Sequence, residues 1–164
     1  MDNSRYIHIF CGRGRGKTSA AIGQAILAAS EGKSVFVIQF LKERNTENLE
    51  YLRQLEPDIK VFRFEKYEKS YQELTPQERE EEVFNLKNGL NFAKKVLSTE
   101  ESDVVVLDEV LGMVEYGIIT EEELKGVIEQ TGEETQLIMT GISRCEGLWP
   151  LVDEVTEAVT AYRK

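Results

Sequence analysis

The sequence contains few of the residues that build disulfide frameworks and metal sites. Its 164 residues include two cysteines, Cys11 and Cys145, and a single histidine, His8. Two cysteines so far apart do not indicate a disulfide framework or a zinc motif, and free thiols are typical of a reducing compartment. Because His8 lies inside an apolar run without Cys, Asp or Glu at metal-ligand spacing, we predict a packed histidine of the core or of a sheet end.

Positive charge and long apolar runs are also scarce. The chain carries 20 Lys and Arg against 30 Asp and Glu, a net charge of -10 at pH 7. Such a charge repels a phosphate backbone and argues against general nucleic-acid binding. No apolar run approaches the ~20 residues of a membrane span, and no signal peptide is recognisable. We therefore expect no nucleic-acid partner, no membrane partner and a cytoplasmic location.

Glycine, by contrast, is concentrated in one stretch between an apolar run at 6–10 and an Ala-rich segment at 20–29. The stretch reads Gly12, Arg13, Gly14, Arg15, Gly16, Lys17, Thr18, Ser19. Alternate glycines let the backbone adopt φ > 0 and turn successive N–H groups toward an anion. Lys17 adds a positive charge for phosphate oxygens, Thr18 adds a hydroxyl for magnesium, and the following helix directs its positive dipole end there. The stretch predicts a loop that binds nucleotide phosphates.

One position of this loop departs from the usual pattern. Phosphate loops read Gly, four residues, Gly-Lys-Ser/Thr, and counting back from Lys17 places Cys11 where the first glycine is expected. A simple glycine-rich turn is the alternative interpretation. The strand-like run before the loop and the helix-forming run after it favour the phosphate loop.

Two acids at the end of an apolar run form a second candidate element. Residues 104–107 read Val-Val-Val-Leu, and Asp108 and Glu109 follow directly. Unpaired buried carboxylates are costly, so acids at the end of a buried strand are expected to meet a cation or water. Together with the phosphate loop, Asp108 and Glu109 predict the magnesium arm of a nucleotide site. The alternative is a strand that runs out into solvent.

Strand-like and helical segments alternate along the chain. We predict strands near 6–10, 34–40, 59–64, 104–107, 136–141 and 155–162, and helices near 17–30, 48–55, 76–97, 110–116, 121–130 and 144–152. This order predicts an α/β fold with a mainly parallel sheet of about six strands and helices on both faces. The length fits a single domain, a P-loop nucleotide-binding domain over residues 1–164.

Three further segments carry less specific patterns. Residues 41–45 follow the carboxyl end of a strand, where open α/β sheets bind ligands. They are interpreted either as a solvated loop or as a wall of the binding site. Phe62 and Phe64 alternate and therefore face one side of the sheet, a pattern that alone favours two core aromatics. The acidic run Glu80, Glu81, Glu82 is interpreted as a solvated face near a helix start.

In combination, these segments resemble the corrinoid adenosyltransferases of the phosphate-loop type. The resemblance covers nearly the whole chain, and the family's loop also lacks the usual first glycine. The matching segments are Ile9-Phe10-Cys11-Gly12-Arg13-Gly14-Arg15-Gly16-Lys17-Thr18-Ser19-Ala20, Val37-Ile38-Gln39-Phe40-Leu41-Lys42, Val105-Val106-Leu107-Asp108-Glu109, Tyr116-Gly117 and Met139-Thr140-Gly141.

The resemblance implies a RecA-like P-loop fold, a homodimer, and transfer of the 5′-deoxyadenosyl group of ATP to a reduced corrinoid cobalt with release of triphosphate. Cobalt(I) is the nucleophile in this family, so no catalytic side chain is implied. The implied ligands are ATP, Mg²⁺ and the corrinoid substrate (cobalamin), and a flavoprotein is a candidate reductant.

The resemblance also implies roles for particular residues. Gly12, Arg13, Gly14, Arg15, Gly16, Lys17, Thr18 and Ser19 would bind ATP. Thr18 and Glu109 would bind magnesium, with Asp108 alongside. Phe62 and Phe64 fall where the family places an aromatic pair beside the corrinoid.

Two other functions fit the residue patterns. One is a P-loop NTP hydrolase or nucleotide-dependent switch, in which Glu109 would polarise a water molecule. The other is a non-catalytic ATP-binding partner of a cobalamin enzyme. The phosphate products distinguish them: triphosphate indicates adenosyl transfer, ADP with inorganic phosphate indicates hydrolysis, and neither indicates binding alone.

Overall fold

Six parallel strands form one sheet. The computed structural model describes residues 4–41 and 49–164. The strands are β1 (Tyr6–Cys11), β2 (Val35–Gln39), β3 (Ile59–Arg63), β4 (Val104–Asp108), β5 (Gln136–Thr140) and β6 (Glu154–Glu157). They lie in the order β3-β2-β4-β5-β1-β6, and all neighbours pair in parallel. All six carboxyl ends therefore meet at one edge of the sheet.

Helices cover both faces, as predicted. They are α1 (Lys17–Ser30), α2 (Pro76–Ser98), α3 (Val110–Glu115) and α4 (Glu121–Glu129), with 3-10 helices at Leu49–Leu55, Tyr71–Glu73 and Glu146–Leu151. Because successive strand residues point to opposite faces, the sheet splits the core in two. Helix α1 packs on Val35, Val37, Val104, Val106 and Ile138. Helices α2, α3 and α4 pack on the opposite face.

The ends of the helices follow local sequence signals. Thr75 and Glu78 form the predicted capping box at the start of α2, with Glu78 N–H donating to Thr75 Oγ1 at 3.2 Å. Gly32 follows α1 with φ 88° and donates its N–H to Ala29 O at 3.0 Å. This left-handed position is one that glycine adopts without strain.

The long helix α2 carries one buried acid where a solvated face was predicted. Glu82 is only 3% exposed, so that part of the prediction was wrong. Its carboxylate accepts the backbone N–H groups of Lys66 and Tyr67, at 2.8 and 3.0 Å. These bonds compensate for burial of the charge and fix the segment after β3 onto α2.

Other predicted boundaries shift by a few residues. The last strand ends at Glu157 instead of continuing to residue 162, and the segments near 48–55 and 144–152 form 3-10 helices. Residues 42–48 lie outside the described residues, and with them most of the predicted loop 41–45. His8 is buried as predicted, stacked on Phe10 and hydrogen-bonded through Nε2 to Thr156 Oγ1 at 2.8 Å.

Candidate nucleotide site

The glycine-rich loop connects β1 to α1 at the carboxyl edge of the sheet. Gly16 precedes the first turn of α1 with φ 101°, a conformation that favours glycine. The Lys17 side chain folds back over the loop, and its Nζ donates to Gly14 O at 2.7 Å. The sequence prediction of a strand, a glycine loop and a helix in this order is confirmed.

Two of the loop glycines make room for the segment that follows β6. A Cβ on Gly12 would lie 2.6 Å from Ala158 O, and one on Gly14 would lie 2.7 Å from Ala158 C and O. Gly14 N–H donates to Ala158 O at 2.9 Å, and Ala158 N–H donates to Cys11 O at 2.8 Å. The glycine spacing thus serves chain packing as well as any anion, which the sequence analysis did not foresee.

Asp108 is the centre of the polar contacts beside the loop. It ends β4, is fully buried, and accepts the hydroxyl of Thr18 at 2.8 Å. Thr140 Oγ1 donates to the same carboxylate oxygen at 2.9 Å, and Gln39 Nε2 donates to the other at 3.3 Å. These donors stabilise the ionised carboxylate in the absence of bulk water. Thr18 and Asp108, 90 positions apart, are brought together as predicted.

Glu109 lies just beyond the strand in a left-handed conformation, with φ 62°. Its N–H donates to Thr140 Oγ1 at 2.9 Å, and its carboxylate packs over Gly112, 3.3 Å from where a Cβ on that glycine would lie. Non-glycine residues with positive φ are uncommon and cluster at functional sites. The backbone turns here so that the second acid leaves the strand direction.

The oxygen groups at this edge fit a hard divalent cation. The Thr18 hydroxyl directs its proton to Asp108 and so leaves its lone pairs for another partner. Carboxylate and hydroxyl oxygens, with water, are the ligands that Mg²⁺ prefers. Within 4–41 and 49–164 no cluster of three His, Cys, Asp or Glu forms a complete protein-only metal site. A metal here would share its coordination with phosphate and water, as is usual for magnesium.

A cleft of about 600 Å³ lies beside the loop. Arg13 and Arg144 line it together with the backbone after β6. Arg144 contacts the carboxylates of Glu146 and Glu157, both at 2.8 Å, and lies over the Trp149 ring. Glu115 and Glu157 also line the cleft, so its charge is mixed and Arg144 is already paired with carboxylates.

Cys11, in the position of the usual first glycine, is buried at the end of β1. Burial raises the pKa of its thiol, with a further contribution from the negative charge of Glu157. A neutral thiol of this kind acts as a small apolar side chain. The departure from the usual pattern is thus accommodated by packing.

The aromatic pair lies away from the phosphate loop. Phe62 and Phe64 are half-buried and pack around Phe92 of α2, with centroid distances of 4.9 and 5.6 Å. Strand β3 is separated from β1 by three strands, so about 19 Å lies between them at ~4.8 Å per strand. The structure brings Thr18 of the loop and Asp108 together but places the phenylalanines elsewhere.

Comparison with known proteins identifies the family. The family model described as ATP:corrinoid adenosyltransferase BtuR/CobO/CobP matches residues 3–163. The chain belongs to this family. A corrinoid adenosyltransferase of Escherichia coli K12 is 31% identical over 163 residues, covering 96% of this chain and 78% of that protein. The corrinoid adenosyltransferase CobA of Salmonella typhimurium is 31% identical over 157 residues, covering 92% and 74%.

This adenosyltransferase also resembles a solved structure of a KaiC-like protein in its fold. The KaiC-like protein PH0186 of Pyrococcus horikoshii superposes with a TM-score of 0.53 at 17% identity, covering 87% of this chain. The chain spans 64% of that structure. The likeness concerns the fold alone, and it supports the RecA-like α/β fold expected from the sequence. Among the described residues no helix of the adenosyltransferase is long and apolar enough to cross a membrane.

Gln39, Thr140 and Ala158 are site residues that received no role from the sequence, although Gln39 and Thr140 lie in segments that carry the family resemblance. Gln39 and Thr140 end strands that are distant in sequence from β4, and only the sheet order makes them neighbours of Asp108. Ala158 contacts the loop through backbone atoms. A polar residue at the end of an apolar strand was the available signal for the first two.

Proposed function

We propose that this adenosyltransferase moves the 5′-deoxyadenosyl group of ATP to a reduced corrinoid cobalt and releases triphosphate. The observation that carries the proposal is the Thr18 to Asp108 contact beneath a phosphate loop, in a chain that belongs to this family. Cobalt(I) of the substrate supplies the electron pair of the new cobalt–carbon bond. The C5′–O bond breaks, and its electron pair leaves with the triphosphate.

The protein's part in this reaction is to position ATP and to stabilise the leaving group. Gly12, Arg13, Gly14, Arg15, Gly16, Lys17, Thr18 and Ser19 would bind the triphosphate. Lys17 would exchange its contact with Gly14 O for phosphate oxygens, and a bond between two opposite charges is the stronger of the two. Fixed N–H groups and cations that meet growing negative charge lower the barrier without reorganisation.

Magnesium would be held by Thr18 and Glu109, with Asp108 alongside. The metal, when bound, neutralises part of the triphosphate charge. Asp108 keeps the Thr18 hydroxyl oriented, because it accepts the hydroxyl proton. Glu109 is turned out of the strand and packs over Gly112. The contact between Thr18 and Asp108 is the observation that supports the proposed magnesium site.

The corrinoid side is proposed at Phe62 and Phe64, which fall where family members carry an aromatic pair. Apolar groups on the lower face of the ring would favour loss of the axial cobalt ligand and make cobalt easier to reduce. We further propose a flavoprotein as the electron donor, a homodimer, a cytoplasmic location and a single domain over residues 1–164.

The decisive experiment supplies cobalt(I)-cobalamin and MgATP under anaerobic conditions. We expect an absorbance spectrum of the cobalt–carbon product and one triphosphate per product formed. Lys17→Ala should abolish the signal, whereas Lys33→Ala, outside the loop, should keep it. ADP with inorganic phosphate would instead indicate hydrolysis, and bound but intact ATP would indicate a binding protein.

The aromatic pair has its own test, with Phe36 as the matched control. Phe36 is buried on the same face of the sheet and 5.1 Å from the Phe62 ring. Truncation of Phe36 to alanine should cost roughly 3–5 kcal/mol of stability, as for a core aromatic. If Phe62 and Phe64 face the corrinoid, their truncation should cost far less and slow the reaction from cobalt(II) but not from cobalt(I). A loss of stability equal to that of Phe36→Ala would assign the pair to the core.

A further inference from the structure

Gln39 is a buried polar residue at the end of β2, and within the part of the chain that the structure describes only the nitrogen of its side-chain amide has a hydrogen-bond partner. It is 2% exposed, and its Nε2 donates to Asp108 Oδ2 at 3.3 Å. Its Oε1 has no hydrogen-bond partner among the described residues. A buried amide oxygen without a partner costs free energy, so its retention calls for a partner that arrives with a ligand.

The sheet register explains why Gln39 lies beside the site. In β2, Val35 and Val37 face α1, and Gln39 continues the same alternation. Gln39 is in register with Asp108 of β4, and the pairing of β4 with β5 places Thr140 next to Asp108. Three polar side chains on adjacent strands thus form one row at the carboxyl edge, on the α1 face, where Thr18 lies in the first turn of that helix.

We propose that Gln39 is a positioning residue of the magnesium–ATP site. Its amide N–H holds one oxygen of Asp108, whose other oxygen holds the Thr18 hydroxyl. Its free carbonyl oxygen accepts a hydrogen bond from a donor that arrives with MgATP, namely a water of the magnesium shell. The role rests on the proposed magnesium–nucleotide site and adds to it a residue from a strand that carries no part of the phosphate loop.

The role predicts a specific change in ligand binding. The quantity to measure is the magnesium enhancement, the ratio of the ATP Kd in EDTA to the Kd in excess Mg²⁺, by calorimetry. Gln39→Met has similar length and removes both hydrogen bonds, so it should lower the enhancement roughly tenfold or more, the usual effect of a bond to a charged group. ATP affinity in EDTA should stay near the parent value.

Two further variants separate positioning from packing. Gln136→Met is the matched control, since Gln136 begins β5 at the opposite edge of the sheet and should leave the enhancement unchanged. Gln39→Asn keeps an amide but is one methylene shorter, so it should show the same loss and serves if Gln39→Met does not fold. In an Asp108→Asn background, Gln39→Met should cause a smaller further loss than in the parent, because only the contact of its carbonyl oxygen with the magnesium water is then left to remove.

The results distinguish this role from the function on which it rests. A parent protein without magnesium enhancement would overturn the proposed nucleotide site itself. If the parent shows the magnesium enhancement of ATP binding and the Gln39 variants show the same enhancement, only the role of Gln39 is overturned. Losses that add fully to that of Asp108→Asn would also overturn it, because they would show that Gln39 does not act through that carboxylate.

Discussion

The contact between Gly14 and the segment after β6 gives a prediction with a magnitude. In Gly14→Ala the new Cβ would lie 2.7 Å from Ala158 C and 2.8 Å from Val159 N, both backbone atoms that no rotamer change can move. An ordinary contact needs about 3.5 Å, so the segment must retreat by roughly 0.8 Å. The hydrogen bond from Gly14 N–H to Ala158 O, now 2.9 Å, would then be broken.

The cost has two parts. Loss of the hydrogen bond contributes about 1 kcal/mol, and forcing an extra methyl group into a tight contact contributes about 1 kcal/mol or more. A loss of about 2 kcal/mol lowers Tm by roughly 4–8 °C in a protein of this size. ATP affinity should fall as well, since the displaced residue belongs to the proposed phosphate loop.

The assay combines thermal unfolding with amide exchange. Exchange at Ala158, whose N–H donates to Cys11 O, should accelerate in Gly14→Ala. The matched control is Gly23→Ala in α1, where no described atom lies within 4 Å of the added Cβ. That control should stabilise the protein by up to about 1 kcal/mol, because alanine is the better helix former. An unchanged Tm and unchanged Ala158 exchange in Gly14→Ala would refute the packing argument.

Three further predictions concern charge. Lys17→Ala should weaken ATP binding by about 2 kcal/mol or more, because it removes a charge-assisted phosphate contact, and calorimetry showing parental affinity would contradict this. Glu109→Gln should remove most of the magnesium dependence of ATP-induced thermal stabilisation, and an equal shift in both proteins would place Glu109 away from the metal. Burial lowers the pKa of His8, so the unfolded chain takes up a proton first and stability should fall as pH drops below about 6.5. His8→Gln should reduce the pH dependence of the free energy of unfolding between pH 7 and 5. A pH dependence equal to that of the parent would contradict this cause.

Local signals predicted the elements well. The capping box at Thr75, the apolar strand before Asp108 and the glycine loop before Lys17 each depend on neighbours within a few positions. These elements form as predicted because they are stabilised by short-range interactions, which the local sequence determines. The presence of six strands and helices on both faces followed from their alternation.

Contacts between segments that are distant in the chain could not be predicted from the sequence. The burial of Glu82 depends on backbone N–H groups of the segment after β3, which carry no residue-specific signal. The association of Gln39 with Asp108 depends on β2 lying beside β4, although β3 separates them in the chain. Sheet order is set by tertiary packing. The sequence therefore shows which strands end in polar residues, but not which of these residues become neighbours.

The position of β1 has a consequence for how the protein is made. Both neighbours of β1, β5 and β6, come from the last third of the chain, and Gly14 bonds to a residue 144 positions later (158 − 14). During synthesis, β1 and the loop that follows it therefore remain unpaired until residues 136–158 have left the ribosome. Contacts of such long sequence separation form slowly. The candidate nucleotide loop is therefore synthesised long before the segment that packs on it, so ATP binding to the completed loop cannot assist folding before residue 158 has emerged.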